Sequence, residues 1–196
     1  MTPHYTRLDM EQGTARWLAW RTEGIGASEA PAIMGENPWK SRKAVLREKL
    51  GLTRRGYGNA AMAFGTQTEP EARARYVRHM GVHVEPACVQ SLAHPWLRAS
   101  LDGLSPDGQR VMEIKCGPKV HAFAAEELAP PRYYYGQLQH ILAVTGLHAI
   151  DFWCYLPGLP HVHVEVARDE AYIARMLEVE QAFWREVLEG RNEVRE

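Results

Sequence analysis

Residues 99–117 read ASLDGLSPDGQRVMEIKCG, and this stretch carries the prediction of the fold. Two aspartates in it, Asp102 and Asp107, are each followed by glycine. Asp107 belongs to Ser-Pro-Asp-Gly, where proline presets φ and glycine tolerates a left-handed backbone, as a tight turn requires. We therefore predict that Asp107 marks the solvent-facing tip of a β-hairpin and that Asp102 ends the incoming strand.

The returning strand, VMEIKC, carries Glu113 and Lys115 on one face, while Ile114 points the other way. Hairpin pairing can bring Asp102 beside Glu113, so that two carboxylates and an ammonium group converge. Carboxylates are costly to bury together unless a cation lies between them, and oxygen ligands suit a hard divalent metal such as Mg²⁺. Lys115 can orient or deprotonate a water, or stabilise charge on a phosphate. The alternative is a surface hairpin whose Glu–Lys pair contributes little stability.

Turn signals and hydrophobic periodicity divide the chain into helices, a β-meander, further helices, two strands and a final helix. Thr68 and Glu71 are expected to form a capping box at the start of one helix. This order predicts an α/β (α+β) fold with a mixed central sheet flanked by helices. Predicted helices begin at Asp9, Ser28, Ser41 and Thr68, stop near Gly24, Gly35, Gly51 and Gly81, and continue with 119–128, 131–146 and 169–190; predicted strands are 82–91, 96–101, 109–116, 149–156 and 161–167.

The length of 196 residues predicts a single domain, 1–196, with a helical part at 1–80, a sheet core at 81–167 and a C-terminal helix at 168–190. No apolar run is long enough to span a membrane, and the first ten residues lack the apolar core of a signal peptide. The three cysteines are widely spaced, which favours reduced thiols in a cytoplasmic protein. They are Cys88, Cys116 and Cys154.

The net charge of −1 does not by itself indicate a nucleic-acid-binding protein, but the charge is unevenly distributed. Residues 1–60 contain ten Lys or Arg against six Asp or Glu. A basic N-terminal part is compatible with phosphate binding. It is equally compatible with ordinary solvated helices, and both interpretations remain open at this point.

The spacing Asp-x10-Glu-x-Lys at Asp102, Glu113 and Lys115 resembles the PD-(D/E)xK nuclease motif. Further blocks are similar to the lambda exonuclease and YqaJ-like viral recombinase family. Leu101 stands where that family usually has proline before its catalytic aspartate. Asp107, not Asp102, follows a proline in this chain, so Asp107 could be mistaken for the catalytic aspartate. The blocks occur in order across 16–156 and read Arg21 with GIGASE (24–29) and NPW (37–39), GTQTEPEAR (65–73), LDG (101–103) with EIKC (113–116), and YYGQLQ (134–139) with VTG (144–146).

The resemblance implies a restriction-endonuclease-like core and a metal-dependent exonuclease that digests one strand of duplex DNA from its 5′ end. It implies that Asp102, Glu113 and the backbone carbonyl of Ile114 hold Mg²⁺, for which Mn²⁺ substitutes. If a second ion binds, Asp102 bridges the two and Glu69 is the extra ligand. Two ions would clamp the attacking and leaving oxygens. The alternative for Glu69 is a charge that favours a helix N-terminus.

Arg21 and Ser28 match the family's pocket for a terminal 5′-phosphate, which a guanidinium, a hydroxyl and helix N–H groups can bind. The alternatives are a surface charge for Arg21 and a helix cap for Ser28. Gln137 can orient a water or a metal ligand, or belong to the core or to an interface. Trp39 can stack on a base, although we expect it in the core. The alternating His161 and His163 are expected to be exposed, since no third metal ligand lies nearby.

The resemblance also implies a homotrimeric ring around duplex DNA and a single-strand annealing protein as partner in phage-type recombination. The expected products are mononucleotides and 3′ single-stranded overhangs, made in the cytoplasm of a bacterial host by an enzyme that a phage or prophage encodes. The alternatives are a non-catalytic module that binds DNA ends and a site-specific endonuclease on the same fold. An iron–sulfur nuclease would need four clustered cysteines, which this chain does not have.

Overall fold

The hairpin predicted around Asp107 lies at the centre of a seven-stranded mixed sheet. The structure is a computed structural model and describes residues 4–53 and 60–193. The strands in this part of the chain are β1 (Tyr5–Leu8), β2 (Ile25–Gly26), β3 (Glu85–Ser91), β4 (Leu97–Leu104), β5 (Val111–Cys116), β6 (Ala149–Tyr155) and β7 (Val162–Ala167). The helices are α1 (Ala15–Thr22), α2 (Ala30–Ile33), α3 (Arg42–Lys49), α4 (Ala60–Met80), α5 (Pro118–Glu127), α6 (Arg132–Thr145) and α7 (Glu170–Glu193), and a 3-10 turn (Ala27–Glu29) precedes α2.

The strand order is β1-β3-β4-β5-β6-β7, and the short β2 pairs with β4. β5 and β6 run parallel, as do β2 and β4, whereas every other neighbouring pair is antiparallel. Parallel neighbours need a long crossover, and α5 and α6 provide it between β5 and β6. The prediction of a mixed sheet flanked by helices is therefore confirmed.

The turn at the hairpin tip has the predicted geometry. Asp107 is exposed, and its Oδ1 accepts hydrogen bonds from the Ser105 hydroxyl at 2.5 Å and from the Gln109 N–H at 3.0 Å. Gly108 follows with φ of +69°, a left-handed conformation that glycine adopts without strain. The hydrogen bonds from Ser105 and Gln109 hold the pKa of Asp107 below its usual value. Asp107 is thus occupied in shaping the turn.

Helices cover both faces of the sheet. On one face α6 buries the apolar side chains that the sequence places on a single helix side, Leu138, Ile141 and Leu142, against Phe152 and other residues of the main core. Each fully buried side chain of this size contributes about 1.5–3 kcal/mol. On the other face α4 packs Ala72 and Tyr76 against Met112, Ile114 and Trp153. Glu113 and Lys115, which alternate with Ile114, therefore face α6.

The helix starts predicted at Asp9 and Thr68 are wrong. α1 begins at Ala15, because the side chain of Thr14, not Asp9, accepts from the N–H of Trp17. α4 is one helix from Ala60 through Pro70, so the capping box predicted at Thr68 is absent.

The hydroxyl of Thr68 instead donates to the carbonyl of Phe64 at 2.7 Å, and Glu71 accepts from Tyr155. Proline removes one helical hydrogen bond, and the packing of Ala72 and Tyr76 on the sheet favours a continuous helix in spite of that loss. A capping motif in the sequence carries no information about packing between distant residues.

Other local predictions can be compared directly. Ser41 caps α3 as expected, accepting from the N–H of Ala44 at 3.2 Å. Strands β1 and β2 were not predicted.

The three cysteines are free thiols, two buried and one half-buried. None of the described helices has both the length and the apolarity of a membrane span.

Candidate active site

The two central strands separate at Asp102. β4 and β5 pair at Leu104 with Val111 and at Gly103 with Met112, and one more step in this register would set Asp102 opposite Glu113. At that point the Asp102 Oδ2 accepts the N–H of Ile114 at 2.8 Å. A side-chain carboxylate therefore bonds to the neighbouring strand where the sheet opens.

Glu113 is the most deeply buried carboxylate of the site, with 2% of its surface exposed. Its Oε1 accepts hydrogen bonds from Lys115 Nζ and from Gln137 Nε2, both at 2.5 Å. Its Oε2 is buried and has no hydrogen-bond partner among the residues that the structure describes. A buried carboxylate oxygen without a donor is unfavourable unless a cation or a water binds it.

Lys115 is held between a carboxylate and an aromatic ring. Its ammonium lies 4.8 Å from the centre of the Tyr134 ring. Tyr134 lies on α6, the helix that also carries Gln137. Burial disfavours the charged ammonium, but the carboxylates of Glu113 and Asp102 outweigh this and raise the pKa of Lys115 above its usual value. In this arrangement Lys115 is a cation.

Helix α4 contributes a third carboxylate, Glu69, and a guanidinium that joins it to β4. Arg73, one turn after Glu69, donates through Nη2 to the Glu69 carboxylate and through Nε to the backbone carbonyl of Asp102 at 2.7 Å. Arg73 is half-buried. It therefore fixes the distance between the helix that carries Glu69 and the strand that carries Asp102.

The three carboxylates hinder one another's ionisation. Burial and then the negative charge of Asp102 raise the pKa of Glu113 to about 8. Burial and then Asp102 also raise the pKa of Glu69. Burial raises the pKa of Asp102 against the opposing influence of Lys115, the Ile114 N–H and Arg73. A divalent cation bound here would offset both the burial and the mutual repulsion.

A metal ion would have to compete with the cations already there. Among the residues that the structure describes, no group of three His, Cys, Asp or Glu side chains is arranged around a metal position. Lys115 and Arg73 bind the oxygens of Glu113 and Glu69 instead. The unpartnered Glu113 Oε2 and the oxygen-only donor set nevertheless fit Mg²⁺. Asp102, Glu113 and Glu69 are the residues that would hold it.

Arg21 and Ser28, predicted to act together, are in contact. Arg21 Nη2 donates to the Ser28 hydroxyl at 2.9 Å, and the guanidinium lies 4.6 Å from the centre of the Trp17 ring. Ser28 is exposed inside the 3-10 turn and caps no helix, so the predicted helix start at Ser28 is wrong. The Trp17 indole donates to Ser100 Oγ at 2.8 Å, and Ser100 lies two residues before Asp102 on β4. The Arg21–Ser28 pair is thereby tied to the strand that carries Asp102.

The backbone between α1 and the 3-10 turn runs very close to β4. A Cβ on Gly24 would lie 2.5 Å from the carbonyl oxygen of Trp96, so a side chain cannot be accommodated there. Beneath the turn, buried Lys49 and Glu29 form an ion pair at 2.8 Å, and Lys49 also donates to the Gly24 carbonyl at 2.6 Å. These contacts set the position of Ser28.

Two expectations for aromatic and histidine residues are wrong. Trp39 is 73% exposed, not part of the core. His161 and His163 are half-buried, because His161 stacks on Trp153 at 4.2 Å and His163 bonds to Asp151 at 2.7 Å. Neither histidine belongs to the cluster around Glu113.

The family described as the YqaJ-like viral recombinase domain matches residues 16–148. The chain belongs to this family. The match contains every predicted site residue, from Arg21 to Gln137.

Relatives agree with this membership. The YqaJ protein of Bacillus subtilis strain 168 is 25% identical over 92% of the chain, which spans 58% of that protein's length. The alkaline exonuclease LHK-Exo from Laribacter hongkongensis is 30% identical, with a TM-score of 0.81 over 93% of this chain and 96% of that one. A phage-related exonuclease from Haemophilus somnus, 15% identical, shares the fold with a TM-score of 0.69 over 87% of this chain and 96% of that one.

Sequence reasoning missed Arg73 and the pair of Trp17 and Ser100. The signal for Arg73 was its position four residues after Glu69, which puts both side chains on one face of a helix. The Trp17–Ser100 contact had no such signal, because the residues are far apart in the chain.

Proposed function

We propose that the chain is a Mg²⁺-dependent exonuclease that digests one strand of linear double-stranded DNA in the 5′-to-3′ direction. The observation that carries the proposal is the convergence of Asp102, Glu113 and Lys115 where β4 and β5 separate. The likeness to an alkaline exonuclease over nearly its whole length supports a nuclease at this position. The products would be mononucleotides and a 3′ single-stranded overhang.

Each residue of the cluster would have a separate role in hydrolysis. Asp102 and Glu113 would hold the metal, with the backbone carbonyl of Ile114 as a third ligand, and Glu69 would hold a second ion if one binds. Bound Mg²⁺, or Mn²⁺ in its place, would activate a water and stabilise charge on the phosphate. Lys115 would orient that water or neutralise the developing charge. Gln137 would keep Glu113 oriented through the 2.5 Å hydrogen bond to Oε1.

The Arg21–Ser28 pair would bind the 5′-phosphate of the strand being digested. A guanidinium next to a hydroxyl offers several donors to phosphate oxygens, and the positive charge of the guanidinium would attract the phosphate. Ser28 is exposed, so a phosphate can reach its hydroxyl. A pocket that needs a strand end would restrict the enzyme to exonuclease action.

The assembly and partners are further parts of the proposal. A homotrimeric ring would keep a chain of net charge −1 on DNA by encirclement, without strong electrostatic affinity. The overhang would pass to a single-strand annealing protein in phage-type recombination in a bacterial cytoplasm. The chain spans 58% of the length of its relative from Bacillus subtilis. Other parts of such a protein could bind partners of their own, so the assembly and the partners need separate tests.

The test is digestion of linear duplexes with 5′-phosphate or 5′-hydroxyl ends, in Mg²⁺ and in EDTA. We expect mononucleotides to be released from phosphorylated 5′ ends only when Mg²⁺ is present. Cleavage of a closed circular duplex would indicate an endonuclease instead. Binding of ends without nucleotide release would indicate a non-catalytic end-binding module.

A further inference from the structure

We propose that Trp39 is a stacking platform for a base at the end of the DNA held in the active site. This inference rests on the proposed function, because it takes a DNA end as the substrate. It adds a residue that contacts the bases, whereas the residues described above would contact the metal and the phosphates.

The loop that carries Trp39 is held in one conformation. Asn37 Oδ1 accepts the N–H of Trp39 at 2.8 Å and the N–H of Lys40 at 3.0 Å, and Pro38 between them has a fixed φ. The Lys40 ammonium is itself fixed by Glu48 at 2.6 Å. A ring on a fixed backbone loses little conformational entropy when a partner covers it.

The exposure of Trp39 sets it apart from the other tryptophans. Its side chain is 73% exposed, whereas the remaining five tryptophans of the chain are buried or half-buried. Burying an indole removes about 150–250 Å² of surface from water. A partner that covered the largely exposed Trp39 ring would therefore gain much of this favourable burial. The Trp39 ring is therefore available for a flat partner.

A row of aromatic rings leads from Trp39 to the candidate catalytic ammonium. Trp39 contacts Tyr133 in a T-shaped arrangement at 4.7 Å, and Tyr133 lies 4.6 Å from Tyr134. The Tyr134 ring in turn lies 4.8 Å from Lys115 Nζ. Trp39 is thus three successive contacts from Lys115, at the open end of a continuous aromatic surface.

The composition of this surface favours a nucleic-acid base over an apolar peptide. Single-stranded nucleic acid is bound by aromatic rings that stack on bases next to cations that follow the backbone. The exposed Arg132 begins α6 directly before Tyr133 and supplies such a cation. Every base has a flat face, so the contact would be independent of sequence, as digestion of any duplex requires.

The experiment measures binding of a fluorescent, 5′-phosphorylated duplex whose terminal pair is mismatched, so that the last base is free to stack. Anisotropy is recorded in EDTA, where hydrolysis does not occur. We expect W39A to weaken binding about tenfold and W39F to stay within about threefold of wild type, because phenylalanine keeps a ring. L92A, which truncates another exposed apolar side chain, next to β1, is the matched control and should bind as wild type does.

Three results would contradict the inference. Equal affinity of W39A and wild type, in a chain that digests DNA, removes this inference alone and leaves the proposed function intact. A change of subunit number on sedimentation of W39A, with unchanged affinity for DNA, assigns the ring to an interface between copies. Absence of any DNA binding by wild type removes both proposals. Thermal unfolding of each variant shows whether a loss of binding is a loss of folding.

Discussion

Arg73 donates through Nε to the backbone carbonyl of Asp102, and this single hydrogen bond of 2.7 Å joins the helix that carries Glu69 to the strand that carries Asp102. The same guanidinium binds the Glu69 carboxylate. Without Arg73, the third carboxylate would lose the hydrogen bond that links it to the strand carrying Asp102. Arg73 is therefore a positioning residue for the cluster.

We predict that R73A lowers both Mg²⁺ affinity and nuclease activity by about 10- to 100-fold, the effect typical of residues that orient metal ligands. R73K should recover part of the loss, since lysine keeps the charge but not the fork. R75A is the matched control, because Arg75 is 54% exposed and pairs with Glu71 at 3.7 Å on the same helix. Metal binding is measured by calorimetry without DNA, so the result does not depend on turnover. Wild-type metal affinity in R73A would contradict the assignment.

The choice between the two aspartates of the hairpin can be tested by isosteric substitution. D102N should reduce activity by about 10³-fold or more, because it removes a charge from the proposed metal site. D107N should change activity by less than about twofold, since Asp107 only shapes the turn. Initial rates on a linear duplex decide the matter. An inactive D107N beside an active D102N would reverse the assignment.

The proposed 5′-phosphate site at Arg21 and Ser28 predicts a preference for phosphorylated ends that one variant abolishes. R21A should lose about 10- to 100-fold in affinity for 5′-phosphorylated ends and little for 5′-hydroxyl ends, the effect expected when charged hydrogen bonds are lost. R16A removes an exposed arginine of the same helix, whose Nη1 donates to the Asp9 carbonyl at 3.2 Å, and should keep the preference. Competition binding between the two kinds of end provides the measurement. Equal losses of affinity for both kinds of end would indicate that Arg21 contacts the DNA backbone in general and not the terminal phosphate.

Helix α7 is predicted to be integral to the fold through one buried pair. His140 on α6 and Glu180 on α7 are both fully buried, with Nδ1 and Oε1 2.9 Å apart, and the other ring nitrogen of His140 lies 3.0 Å from the Arg98 carbonyl. E180A should lower the free energy of unfolding by about 2 to 4 kcal/mol, because it leaves a buried ring nitrogen without a partner. E180Q keeps an acceptor and should cost less. Urea denaturation measures both, and an E180A variant as stable as wild type would contradict the prediction.

Local chemistry was sufficient to predict the hairpin and the turn. Pro106 and Gly108 specify the turn directly, and alternation specifies the shared face of Glu113 and Lys115, so these features depend on neighbouring residues only. Family resemblance added Glu69, Arg21 and Ser28. The structure brings Glu69 near Asp102 and Arg21 onto Ser28, while their roles stay predictions.

The features that could not be predicted depend on contacts between distant parts of the chain. The start of α4 is decided by packing on the sheet and not by the capping box that Thr68 suggests. Strand β2 has only two residues and exists because β4 pairs with it. The exposure of Trp39 likewise could not be inferred, since a tryptophan after Asn-Pro has no local signal that separates a core position from a surface one.

The geometry of strand β4 bears on the length of the nucleotide product that the proposed exonuclease would release. It carries Ser100, linked through Trp17 to the Arg21–Ser28 pair, and two residues later it carries Asp102. Under the proposed function, β4 would hold the group that binds the strand end and the carboxylate that binds the metal at a nearly constant separation, because an extended strand, which rises about 3.4 Å per residue, has little length to gain even where its pairing is irregular between Leu101 and Leu104. A constant separation would favour the release of one product size at every step, whatever the sequence of the DNA.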